Sequence, residues 1–138
     1  MGEVKKIQEN IADDLSSLND IIKKALESNS ALMHQIVSKF LESKGKQIRP
    51  ILVILSGRFF GGVNNKVLNA GAAIELLHNA SLIHDDVIDE SKERRGKPTI
   101  NRIWDNHISV LVGDFFVSAA LHCAVQTENH RITAVLSR

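Results

Sequence analysis

The sequence predicts an all-α chain. Three observations carry this: long segments whose apolar residues recur at threes and fours, only two prolines (Pro50 and Pro98), and no run of alternating β-branched residues. The first helix is expected over residues 4–27, where Ile7, Ile11, Leu15, Leu18, Ile22 and Leu26 form one stripe and charges fill the rest. Ser30 is a fitting N-cap for a second helix over 30–43, with Leu32, Ile36 and Phe40 as its apolar positions. Gly45 breaks that pattern, and Pro50 suits the first turn of a third helix running through Ile51, Leu52, Leu55 and Phe59. Gly61 and Gly62 stop it. Asn64 or Asn65 caps a long fourth helix reaching Asp89, and the charged run 91–97 before Pro98 reads as a loop. A long apolar helix over 106–127 and a short one from Asn129 complete the chain. Strands are not expected.

The 138 residues fit one domain with a sizeable core. Hydrophobic residues make up 43% and charged residues 24%, which excludes a disordered body. Seventeen basic and 16 acidic residues leave a net charge of +1, so no global field draws nucleic acid or a membrane surface. Anion recognition, if present, must be local. One cysteine, Cys123, excludes a disulfide framework and fits a reducing compartment; with no apolar signal core at the start, a cytoplasmic location is expected. No stretch reaches the ~18 uncharged apolar residues of a membrane span. The most apolar segment, 108–125, contains Asp114 and His122 and reads as a buried helix.

The main chemical signal lies on the fourth helix, in Leu82-Ile83-His84-Asp85-Asp86-Val87-Ile88-Asp89. Asp85 and Asp89 fall one turn apart, about 40° around the axis, and Asp86 flanks them. Three such carboxylates repel one another unless a cation intervenes, and no Lys or Arg stands at helical spacing inside the motif. Oxygen-only ligands favour a hard cation, Mg²⁺ first, which binds one or two carboxylates plus substrate phosphate. The same pattern also occurs as a solvated acidic helix end. Against that, apolar residues surround it, and acids near a helix C-terminus oppose the macrodipole.

Glu93-Arg94-Arg95-Gly96-Lys97 follows as a cationic loop whose guanidinium forks suit phosphate oxygens. Lys46 and Arg49 form a second cationic pair at a helix start, where the backbone already favours anions. His78 lies seven residues before Asp85, about 20° off its face and about 10 Å below it. It is placed to donate to a second anion, although a lone helical histidine is more often a structural hydrogen-bonder. His84-Asp85 is also similar to the paired ligands of HD-type metal phosphohydrolases, but nothing fixes the further histidines that chemistry needs.

Together these residues resemble the trans-isoprenyl diphosphate synthases, or polyprenyl synthetases, and in particular the long-chain, octaprenyl-type members. Gly45-Lys46-Gln47-Ile48-Arg49-Pro50 is similar to the family's Gly-Lys-Arg-x-Arg-Pro element, and 82–89 to its first aspartate-rich motif. Arg94-Arg95-Gly96-Lys97-Pro98-Thr99 resembles the basic loop after it, and Val110-Leu111-Val112-Gly113-Asp114-Phe115 a later helix start. The resemblance runs in the family's order through nearly the whole chain. It implies the antiparallel helical bundle of the isoprenoid synthases. It implies Mg²⁺ on Asp85, Asp86 and Asp89, an allylic prenyl diphosphate against those ions and Arg94, and isopentenyl diphosphate on Lys46, Arg49, His78 and Arg95. The implied reaction is head-to-tail condensation. Gln47 departs from the family's first arginine, a change expected to be mild because Lys46 and Arg49 remain.

The small Ala80 and Ser81 precede the acidic motif where short-product members place bulky aromatics, so a longer polyprenyl product is expected. A second aspartate-rich motif is not found in 1–138. The segment is therefore expected to be the N-terminal part of a synthase domain, to bind diphosphate weakly and not to turn over alone. Uncovered apolar faces are expected to favour self-association, and a homodimer is plausible from the family's habit. A lipid-like product would bring it near a membrane, and nucleic acid is not an expected partner. Two other readings are a non-catalytic small subunit of a heteromeric prenyltransferase, against which the retained acids and arginines weigh, and an HD-type phosphohydrolase or plain helical interaction module.

Overall fold

The computed structural model describes residues 2–138 and is a bundle of α-helices with one short hairpin. The helices are α1 (Gly2–Asn10), α2 (Ala12–Ala25), α3 (Ala31–Leu41), α4 (Ile48–Phe59) and α5 (Asn65–Ile88). After the strands β1 (Glu93–Arg94) and β2 (Lys97–Pro98) come α6 (Ile100–Ile103), α7 (Asn106–Gln126) and α8 (His130–Leu136). Side-chain caps fix several starts: Ser30, Asn64, Asp105 and Asn129 each accept a backbone N–H from the first turn that follows.

α5 and α7 form the central pair, with α2 and α4 packed on α5. Small residues make the close approach possible. Gly71, Ala72, Ala73 and Ala80 face inward on α5, and Gly113, Ala119 and Ala120 on α7. A side chain on Gly71 would strike Leu18 of α2, and one on Gly113 would strike the ring of His84. Leu18, Ile36, Ile54, Leu76, Val112 and Phe116 fill the centre, and Phe40 meets Phe116 edge to face at 5.1 Å.

Two local expectations are corrected. The first helix is kinked at Ile11, although helical hydrogen bonds cross the kink from Ile11 to Ile7 and from Leu15 to Ile11. The kink tucks Ile11 into the core while leaving no residue of α1 buried. The charged run after α5 is a hairpin rather than a plain loop: Arg94 pairs with Lys97 across Arg95-Gly96. Both turn residues have positive φ, 52° and 74°, as a type I′ turn requires. Helix α4 buries Pro50, Ile51 and Ile54, and turns Leu52, Leu55 and Phe59 outward.

α7 is long and apolar enough by length and composition to cross a membrane. In the bundle its Val112, Phe116, Ala120 and Cys123 are buried, whereas Leu111, Val117, Leu121 and Val125 are exposed. It is thus buried on one face only. Burial pushes the Cys123 thiol up to about 11, so it is an inert packing group.

Candidate active site

The acidic motif occupies the last turn of α5 and its C-cap. Asp85 and Asp89 are exposed, one turn apart, and Asp86 is only 6% exposed. The helix ends on a Schellman arrangement: Ser91 N–H donates to the Asp86 carbonyl at 2.9 Å, and Glu90 N–H to the Val87 carbonyl at 3.3 Å. Glu90 takes the left-handed conformation there, with φ 53°. That reversal throws the chain back along α5. The Thr99 N–H to the Lys92 carbonyl and the Thr99 hydroxyl to the Ser91 carbonyl close the base of the hairpin.

The fold-back brings the arginines onto the acids. Arg94 Nε and Nη2 donate to the two carboxylate oxygens of Asp86 at 3.0 and 2.6 Å. The hydrogen bonds that Arg94 donates to Asp86, with the charges of Asp86, Asp85 and Asp89, raise the Arg94 pKa further. One of the three acids therefore has a cation of the protein's own. Helical spacing within the motif shows no cation, but the hairpin delivers one from eight residues away. Asp85 and Asp89 make no ion pair of their own among the described residues.

The donor set suits magnesium in a particular way. Among the described residues, no three acidic, His or Cys side chains converge closely enough to hold an ion by themselves. Mg²⁺ retains waters and takes one or two carboxylates plus substrate phosphate oxygens. Exposed Asp85 and Asp89 meet that requirement, while Asp86 is committed to Arg94.

The second cationic group gathers around Gly45. Arg95, from the hairpin turn, donates through Nη1 to the Ser43 carbonyl at 3.2 Å, and its guanidinium lies where a Gly45 side chain would sit. Lys46 and Arg49 are exposed at the start of α4. Gln47, the departure from the family pattern, has φ 54° and exchanges two hydrogen bonds with the Asn19 amide, at 2.7 and 3.3 Å. It pins the loop to α2. His78 is half-buried; burial, then the positive charges of Arg49, Arg95 and Arg94, lower its pKa. Both effects favour the neutral ring, which has one N–H to donate.

The two small residues part company. Ala80 is 1% exposed and belongs to the core, whereas Ser81 is exposed and its hydroxyl donates to the His78 carbonyl at 2.7 Å. His84 is held by α7: its Nε2 lies 3.3 Å from Asp114 Oδ1 and 3.2 Å from the Val110 carbonyl. It is engaged in joining helices.

Sequence reasoning missed Glu75, a carboxylate only 7% exposed, one turn before His78. Its signal was present: an acid inside the apolar run Ala72-Ala73-Ile74-Glu75-Leu76-Leu77. Burial raises its pKa, and the charges of Arg49 and Arg95 offset part of that rise.

A family model described as Polyprenyl synthetase matches residues 30–138. The all-trans-nonaprenyl-diphosphate synthase (geranyl-diphosphate specific) of Rhodobacter capsulatus is 39% identical over 86% of this chain and 37% of its own. The octaprenyl diphosphate synthase of Escherichia coli is 37% identical over 97% of this chain and 42% of its own. The chain thus spans about two-fifths of the length of the curated relatives it matches. Among solved structures, a decaprenyl diphosphate synthase from Rhodobacter capsulatus superposes with a TM-score of 0.92 at 33% identity, over 97% of this chain and 42% of that one. A polyprenyl synthase from Caulobacter crescentus, complexed with calcium and isoprenyl diphosphate, also gives 0.92, at 32% identity, over 98% and 41%.

Proposed function

The chain belongs to the polyprenyl synthetase family, and on that premise we propose that it forms one wall of a prenyltransferase site. That site condenses isopentenyl diphosphate with an allylic diphosphate into a long-chain polyprenyl diphosphate. The observation that carries this reading is the fold-back of the Arg94–Arg95 hairpin beside the open carboxylates of Asp85 and Asp89. Open carboxylates and guanidinium groups are thus gathered at one end of α5, and together they are the groups that hold a diphosphate, through a metal and directly.

Asp85 and Asp89 would hold Mg²⁺, which when bound neutralises charge on the leaving diphosphate. Asp86 orients Arg94. With Nε and Nη2 on Asp86, Arg94 Nη1 donates to the allylic diphosphate and stabilises charge developing on the oxygen as the allylic C–O bond breaks. Lys46, Arg49 and Arg95 hold the diphosphate of the second substrate, and neutral His78 donates a hydrogen bond to it. The double bond of that substrate attacks the allylic carbon as its diphosphate leaves, and the adduct gives up a proton to a basic oxygen of the released diphosphate to restore an alkene. Ser81, small and exposed on the side of α5 leading away from Asp85, leaves room for a growing tail. The nonaprenyl and octaprenyl relatives support the long-chain reading. Exposed Leu111, Val117 and Leu121 on α7 support self-association of copies.

Calorimetric titration of a prenyl diphosphate into this chain, with and without Mg²⁺, tests the reading. We expect weak uptake with a component that Mg²⁺ adds and Asp85→Ala removes, and no prenyl product from these residues alone. If Mg²⁺ adds nothing, or its contribution survives Asp85→Ala, the assignment of the acids falls, and prenyl transfer by the purified 138 residues overturns the view that they supply one wall only.

A further inference from the structure

We infer that Glu75 is a positioning residue for the basic side of the site: its buried carboxylate, sharing a small cavity with Arg95 and lying within the field of Arg49, is the counter-charge that keeps these guanidinium groups in the arrangement that receives a diphosphate. The inference rests on the diphosphate reading above and extends it to a residue outside the motifs that carry that reading.

Three elements meet here. Glu75 projects from α5, Arg49 from α4 and Arg95 from the hairpin turn. Glu75 and Arg95 line a small cavity of about 20 Å³, whose wall also includes Asn19, Gly45, Gln47 and Asn79. Lys44 lines it too, so its charged groups are two cations and one acid. Arg49 is the further cation whose field reaches Glu75.

Cations converging from separate elements repel one another and would swing into solvent without a counter-charge. A carboxylate 7% exposed is costly to bury, and that cost is offset only where cations or donors face it. Each side therefore supplies what the other lacks. No other acid can take the part along α5: Asp85 stands ten residues on, about 15 Å up the axis. The surrounding loop is also fixed from outside, by the Gln47–Asn19 amide pair and by the Arg95–Ser43 hydrogen bond. Glu75 is thus the inward anchor of a cluster whose outward face stays open to an anion.

Titration of inorganic pyrophosphate into the chain at low salt, without metal, separates this role from its rivals. Glu75→Gln keeps the shape and removes the charge. Positioning predicts affinity about tenfold weaker, as for other residues that orient a binding group, with partial recovery in Glu75→Asp. If Glu75 contributed only a negative field, its removal would tighten pyrophosphate binding. If it served only packing, the melting temperature would fall with affinity unchanged. Either result overturns the inference. Should Glu75→Gln fail to fold by circular dichroism, the affinity of Glu75→Asp decides, because a shorter arm that retains charge still displaces the arginines.

Arg49→Ala supplies the reference. If it weakens uptake while Glu75→Gln does not, the inference about Glu75 fails alone. If wild type takes up no pyrophosphate and Arg49→Ala changes nothing, the basic cluster is not a diphosphate site and both readings fall.

Discussion

Arg94 grips Asp86 in a two-pronged ion pair, with contacts of 3.0 and 2.6 Å, and the pair is the physical link between the acidic helix end and the basic hairpin. The Asp86 side chain is 9% exposed and that of Arg94 35%. Arg94→Ala leaves the carboxylate buried without its partner. We expect a loss of about 1.5 kcal/mol, the low end for a charged hydrogen bond because the arginine is partly solvated. Arg94→Lys keeps the charge but loses the fork, and recovers less than half. Urea unfolding of the two variants measures both.

Asp85 and Asp89 are exposed, so their removal should spare the fold. Asp85→Ala and Asp89→Ala are expected to unfold within about 0.5 kcal/mol of wild type, yet to lose Mg²⁺-dependent pyrophosphate uptake. Asp86→Asn is expected to do the reverse: lower stability, with part of the metal dependence retained. Calorimetry and denaturation on the same three proteins separate holding a metal from holding an arginine.

His78 gives the chain a pH signature. Burial and the nearby arginines lower its pKa, so the folded chain resists a proton that the unfolded chain accepts near 6.5. The contribution is complete above that pH and is lost as pH falls, because the unfolded state then binds more protons. Glu75 works in the opposite sense, its raised pKa making stability fall as pH climbs above 4.5. Between about pH 5.5 and about pH 7.5, His78→Gln should show a flatter rise of stability with pH than wild type. Matching slopes in thermal melts would refute the assignment.

Ser81→Phe and Ala80→Phe should behave differently although the residues are adjacent. Ala80 is in the core, so Phe there overpacks it and costs about 1–3 kcal/mol. Ser81 is exposed and tolerates the ring. In the complete enzyme Ser81→Phe is expected to shorten the product without lowering the melting temperature. Chain-length analysis of the products, beside a melt of each variant, checks this.

Helix positions were legible where local rules decide them. Asn64 caps α5 with an acceptor 3.0 Å from the Val67 N–H, and Asp105 caps α7 at 2.7 Å from the Ile108 N–H. Other features depend on groups distant in sequence. Both faces of α4 are apolar, so pattern alone does not decide that Ile51 and Ile54 go inward while Leu52 and Phe59 do not. The Arg95-Gly96 turn uses an arginine at a positive φ that residues other than Gly, Asn and Asp seldom adopt, which hid the hairpin. With the hairpin hidden, the Arg94–Asp86 pair was hidden too. The separation of Ala80 from Ser81 follows from a helical step of about 100° between neighbours, but which side faces the core is settled only by α7.

Because Glu75, His78 and Asp85 stand on one uninterrupted helix and Asp89 caps it, α5 works as a ruler. The gap between the two proposed anion stations is graduated in units of about 1.5 Å and about 100°, independent of any flexible connection. Inserting a single residue between His78 and Asp85 would swing the acids about a quarter-turn away from the histidine, whereas inserting seven would keep them in line but about 10 Å too far apart. Length variation should therefore be tolerated in the connections around α5 and rejected inside it.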